Sequence, residues 1–187
     1  MSLCVVAHPD AMEYGTSAAV ARWTDRGIEV GYLLLTRGEA GMPNPPEETA
    51  HLCVAEQRAA CAVVGVGHLT VQEHPDGVLV YGLNLRRDIC RRSAASSPTS
   101  YSAPNSRSGR PTASTRPTTG RLGSRRSTRS GTRAIGKFPE PIDDEDLEPH
   151  SACWYIVPAL DHAATHGVDV TGEPLRRGVA PLEAHAA

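Results

Sequence analysis

Leu3 to Ala7 is an unbroken apolar run, Leu-Cys-Val-Val-Ala, closed by His8-Pro9-Asp10. Five residues are too few for a buried helix, and two of them are β-branched. The run therefore predicts a parallel strand covered on both faces. Pro9 has no N–H for a sheet ladder, so the strand must stop near His8. A His and an Asp then stand at the carboxyl end of a strand, the edge of an open α/β sheet where sites are built. There they could hold a metal or move a proton; an ordinary turn is the other reading.

The rest of the chain extends this start into layers. Alanines, Val20 and Trp23 recur at helical spacing from Met12 to Arg26, and Gly27 is a C-terminal stop. Ile28 to Thr36 predicts a second strand, with Leu33-Leu34-Leu35 buried. Strand, helix, strand in this length is a βαβ unit with a right-handed crossover. Glu47 to Val64 predicts a helix with acids in its first turn, as the helix dipole prefers. His68 to Glu73 follows as a strand, His74-Pro75-Asp76-Gly77 as a turn, and Gly82 to Ile89 as the start of a helix. Late in the chain, Cys153 to Val157 predicts a strand. Pro174 to His185 predicts a helix with Leu175, Val179 and Leu182 on one apolar face.

A length of 187 residues suits one domain with one core. The five cysteines are scattered, odd in number and free of CxxC spacing, which argues against a disulfide framework or a Cys-rich zinc site. No run of 18 apolar residues exists, so no transmembrane helix is expected. The chain enters a strand at once, without a basic and apolar leader, and a cytoplasmic location is the expectation. No GxGxxG follows the first strand, which disfavours a nucleotide-binding enzyme of the Rossmann type.

Composition breaks in the middle. From Cys90 to Lys137 there is no Asp or Glu, and Arg, Ser and Thr supply 28 of the 43 residues from Arg91 to Arg133. Three readings stand. One is a disordered basic linker. A second is a basic arm for nucleic acid, although Tyr101 is its one aromatic residue. The third, which we favour, is a stretch translated out of frame. Shifting the frame in GC-rich codons turns Ser into Val, Leu, Ile or Phe, Thr into Asp, His, Asn or Tyr, and Arg into Ala, Pro, Ser or Thr. With suitable codons, residues 96–102 then yield a strand, residues 124–135 an amphipathic helix, and residues 116–123 an Asp-His pair.

Ala7-His8-Pro9-Asp10, then Thr36-Arg37-Gly38-Glu39-Ala40-Gly41, then Glu56 ahead of Val64-Gly65-Val66 fall in one order and spacing. That order resembles the PIG-L/LmbE family of zinc-dependent N-deacetylases. The resemblance runs from Leu3 to about Ile89 and resumes from about Phe138, with residues 166–171 like the family's closing strand. It implies an α/β, Rossmann-like layer sandwich with a mostly parallel sheet. A poorly ordered middle segment is expected within a single domain over 1–187, with 90–137 an out-of-frame or disordered insert.

The resemblance also implies a chemistry. The family removes acetyl from N-acetylglucosamine-type substrates, including glucosaminyl-inositol and mycothiol-related ones. A zinc-bound water is the nucleophile and a carboxylate is its base. Carried over, His8 is a zinc ligand and Asp10 the base. The second ligand position, an Asp in the family, is Ala11, which has no donor atom. The third ligand, a His, falls in the off-frame stretch. Arg37, Glu39, Glu56 and Asp76 are substrate-facing candidates, although for Arg37 and Glu39 ordering their own loop is the favoured reading. The family's Arg three residues before Glu56 is Cys53 here. Expected partners are a small amino-sugar substrate and zinc, with zinc doubtful in this chain. The expected function is an N-deacetylase of impaired activity. The alternatives are a non-catalytic family member or, further off, a basic-arm nucleic-acid binder.

Overall fold

A computed structural model of the chain describes residues 1–96, 98–104, 153–157 and 167–184. Among these residues five strands, β1 (Ser2–Val6), β2 (Val30–Leu34), β3 (His68–Val71), β4 (Ser100–Pro104) and β5 (Cys153–Val157), form one sheet. Every pairing is parallel, and the order is β3-β2-β1-β4-β5. The helices among the described residues are α1 (Ser17–Asp25), α2 (Pro46–Val64), α3 (Leu83–Ser96), α4 (Glu173–Val179) and α5 (Pro181–Ala184).

The two-residue period of β1 and β2 divides the core into two layers. Cys4, Val6, Val30, Tyr32 and Leu34 face one way and pack with Val20 and Ala21 of α1 and with Cys61 and Val64 of α2. Leu3, Val5, Ala7, Leu33 and Leu35 face the other way, against Leu85 and Ile89 of α3 and Leu79. All residues of β1 and β2 are buried, which is why both read as continuous apolar runs. Each large apolar side chain so covered contributes roughly 1.5–3 kcal/mol relative to exposure. Cys4 and Cys61 lie in this core, and burial pushes both thiols up to about 12. No helix among the described residues is long and apolar enough to cross a membrane.

Several expected boundaries move. The first helix begins at Ser17 rather than Met12. Residues 10–16 form turns instead, in which the Met12 carbonyl accepts from the N–H groups of Gly15, Thr16 and Ser17 at 3.3, 2.8 and 3.0 Å. α3 continues past Ile89 to Ser96, and β4 follows from Ser100, so residues 90–96 and 100–104 carry regular structure. Positions 105–137 lie outside the described residues. The family-like closing strand is not present in its described part: residues 167–170 are irregular and Thr171 and Gly172 form a turn.

The expected final helix is two short ones. Pro181 has no N–H to continue α4 and its ring would press on the preceding turn, so the chain restarts with Pro181 as the first residue of α5. The buried face is also not the expected one. Leu175 and Val179 are half exposed, whereas Pro174, Gly178 and Pro181 are buried. Small residues win because α4 crosses α1 very closely: a Cβ on Gly178 would stand 2.3 Å from the Cα of Ala18. Arg177 fastens the same crossing, donating from Nε to the Val63 carbonyl at 3.1 Å and pairing with Asp25.

Candidate active site

β1 is followed in sequence by β2 and β3 on one side, while β4 and β5 lie on its other side. The order therefore reverses beside β1, and the carboxyl end of that strand is the switch point at which open α/β sheets build their sites. His8, Pro9 and Asp10 leave β1 at this edge. The neighbouring loops are tied to the same edge by ladder bonds that outlast the strands. Thr36 N–H donates to the Ala7 carbonyl at 2.9 Å, and His74 N–H to the Leu35 carbonyl at 3.1 Å.

His8 Nδ1 lies 2.8 Å from the Pro9 carbonyl and 3.2 Å from Asp10 Oδ1. Both partners are acceptors, so Nδ1 carries the hydrogen, and in the neutral imidazole Nε2 keeps its lone pair. The Asp10 hydrogen bond raises the His8 pKa above its ordinary 6.5; burial opposes it, and the Pro9 carbonyl and the charges of Asp10 and Asp76 add to it. A carboxylate that orients an imidazole in this way is the usual support for a metal-binding or proton-carrying His.

Asp10 takes a left-handed backbone, φ 67°, the one non-glycine residue to do so among the described residues. Its N–H donates to Gln57 Oε1 at 2.9 Å. Ala11 is half-buried and its side chain packs against the apolar layer of β1, β2, α1 and α2.

The loops after β2 and β3 interlock around Asp76. Its Oδ1 accepts from Thr36 Oγ1 at 3.2 Å, and its Oδ2 accepts from Ala40 N–H at 3.4 Å. In return its own N–H donates to Glu39 Oε1 at 2.8 Å. Glu39 and Asp76 thus hold two loops together. Arg37 makes a two-pronged pair with Glu47 in the first turn of α2, at 3.0 and 3.1 Å. Glu56 is half-buried on α2, one turn after Cys53.

Cys53 lies under Gly38. Its thiol is 3.8 Å from the Gly38 carbonyl, and burial raises its pKa, with Glu56, Asp10 and Asp76 adding to the rise. Gly38 has φ 77°, and a Cβ there would come 3.2 Å from Pro9 Cδ, so the loop after β2 sits directly on the His8-Pro9-Asp10 turn. His74 pairs with Asp88 of α3, Nε2 to Oδ2, at 3.3 Å.

Two residues at this site, Glu13 and Gln57, did not stand out in the sequence. Gln57 is 1% exposed and donates from Nε2 to Glu13 Oε1 at 2.8 Å; Glu13 is 5% exposed. The signal was present: Gln57 interrupts the apolar stripe of α2 made by Ala50, Cys53, Ala60, Cys61 and Val64. A polar residue at a stripe position must be paired.

Among the described residues, no group of three or more His, Cys, Asp or Glu side chains could hold a metal ion. His8 is oriented as a ligand, but the next position, Ala11, is half-buried and has no donor atom. The described residues do not fit a zinc centre of the expected kind.

A family model described as PIG-L, GlcNAc-PI de-N-acetylase, matches residues 3–111. The chain is 31% identical over 90 residues to a diacetylchitobiose deacetylase of Thermococcus kodakarensis, covering 46% of this chain and 34% of that protein. It is 41% identical over 83 residues to a 1D-myo-inositol 2-acetamido-2-deoxy-alpha-D-glucopyranoside deacetylase of Kineococcus radiotolerans, covering 40% and 23%. The matched part is thus about a third or less of either relative. Among solved structures, the N,N'-diacetylchitobiose deacetylase of Pyrococcus horikoshii shares the fold, with a TM-score of 0.81 at 21% identity over 99% of this chain and 69% of that one.

Proposed function

Because this chain belongs to the PIG-L family, we propose that it recognises N-acetylglucosamine-type amino sugars through an N-deacetylase site whose own hydrolytic turnover is impaired. The observation that carries this is the turn after β1. His8 and Asp10 stand paired at the carboxyl edge of β1, while Ala11 has only a methyl group where a donor is needed.

The substrate class follows from the two relatives, whose names specify a diacetylchitobiose and an acetamido-glucosyl inositol. Polar groups at this edge suit such a ligand. Asp10, whose N–H is held by Gln57 of α2, keeps a carboxylate oxygen that no described hydrogen bond uses, and its charge and that of Asp76 both act on His8. In a working family site, zinc supplies a nucleophilic water and polarises the acetyl carbonyl. Here the residues that remain can orient His8, bind sugar hydroxyls and hold a proton at Asp10.

The test uses the full chain with N,N'-diacetylchitobiose and added zinc. Sugar binding is followed by ligand-observed NMR and acetate release by an enzymatic assay. The expected result is saturable binding with acetate release at the level of the uncatalysed control. Turnover like that of a complete family enzyme overturns the impairment. Absence of saturable binding overturns the amino-sugar reading.

A further inference from the structure

We propose that Gln57 is a positioning residue of this site, resting on the family reading above, and that with Glu13 it fixes Asp10 through a closed ring of hydrogen bonds. Asp10 N–H donates to Gln57 Oε1 at 2.9 Å. Gln57 Nε2 donates to Glu13 Oε1 at 2.8 Å. Glu13 N–H donates to the Asp10 carbonyl at 3.0 Å, which closes the ring.

The chemistry of each group sets the direction of every bond. A backbone N–H can only donate and a carboxylate can only accept, so the Gln57 amide has one workable orientation. Turned by half a rotation, its NH2 would face the Asp10 N–H and its oxygen would face the Glu13 carboxylate. Both side chains are buried, and an amide and a carboxylate in that position are costly unless paired. The ring explains why α2 carries a Gln in its apolar stripe.

It also explains the backbone of Asp10. A left-handed conformation is unfavourable for a residue with a Cβ, though Asp tolerates it better than most. It persists where neighbouring structure holds it. The ring holds the peptide groups on both sides of the Asp10 Cα, and in that conformation the carboxylate comes back to 3.2 Å from His8 Nδ1. The orientation of the His8–Asp10 pair is therefore set by α2, 47 residues further along the chain.

Amide hydrogen exchange, resolved by NMR on the full-length protein without substrate or metal, tests the ring. Gln57→Leu and Glu13→Ala should each speed exchange at Asp10 by about tenfold, the effect of losing one buried hydrogen bond. Leu33, in the core of β2, should be unchanged. Glu13→Gln should keep Asp10 protected, since its amide oxygen accepts the same bond. Unchanged Asp10 exchange in Gln57→Leu overturns the proposal. So does equal acceleration at Asp10 and Leu33, which marks general stability only, or a Glu13→Gln protein that exchanges as fast as Glu13→Ala. If Gln57→Leu does not fold, the two Glu13 variants decide between the same outcomes. No ligand is present, so the ring stands or falls separately from the amino-sugar reading.

Discussion

The imidazole of His8 faces the carboxylate of Asp10 across 3.2 Å, on a turn whose next residue, Ala11, has no donor atom. The pair has a pH signature. In metal-free protein, the His8 imidazole signal should titrate with a midpoint above 6.5, and Asp10→Asn should move that midpoint down. The linkage has a definite sign. The folded His8 pKa is raised, so the pair's contribution to stability is complete below 6.5 and is lost as pH rises through the folded value. Unfolding in urea at a series of pH values should show that loss in the parent and less of it in Asp10→Asn. A His8 midpoint that is the same in both proteins contradicts the pairing.

The α1–α4 crossing depends on Gly178. A Cβ there meets the Ala18 backbone at 2.3–2.4 Å, a contact that no side-chain rotation relieves. Gly178→Ala should cost about 3 kcal/mol, at the upper end for overpacking, and lower Tm accordingly. Gly15 has nothing within 4 Å of an added Cβ, so Gly15→Ala should leave Tm nearly unchanged. Similar melting of both variants contradicts the close crossing.

β4 bears on the reading frame. It is a strand between β1 and β5, yet its sequence is Ser-Tyr-Ser-Ala-Pro, and Ser102 is 2% exposed. Interior parallel strands are rich in Val, Ile and Leu, and Pro is foreign to them. With suitable codons, the shifted frame yields a Val-Leu-Leu run within 96–102. We therefore expect fresh sequencing of the DNA for Asp88 to Glu140 to show a compensating insertion and deletion. DNA that encodes the Arg/Ser/Thr stretch as written contradicts the shifted frame.

Much of the scaffold was legible because burial on both faces writes itself as unbroken apolar runs. β1 and β2 are such runs, and α2 carries its acids, its apolar stripe and its Gly65 stop in order. The site edge was legible because Pro9 ends a strand and leaves His8 and Asp10 at its tip. The rest depends on tertiary contacts. The start of α1 is delayed by the left-handed turn at Asp10 and by the triple use of the Met12 carbonyl, neither of which has a helical period. The buried face of α4 was misjudged because close helix crossings select Gly and Pro over Leu and Val. Gln57 and Glu13 look like surface residues until a fold brings 10, 13 and 57 together. Arg37 was read as a loop-ordering residue before a substrate contact, and its guanidinium is bonded to Glu47.

Equilibrium zinc titration of the parent chain and of Ala11→Asp, by competition with a chromogenic chelator, tests the central claim most directly. The account predicts weak zinc binding by the parent and an affinity at least about tenfold higher in Ala11→Asp, where a carboxylate is added beside His8. Tight binding of one equivalent by the parent, matched by Ala11→Asp, would contradict it.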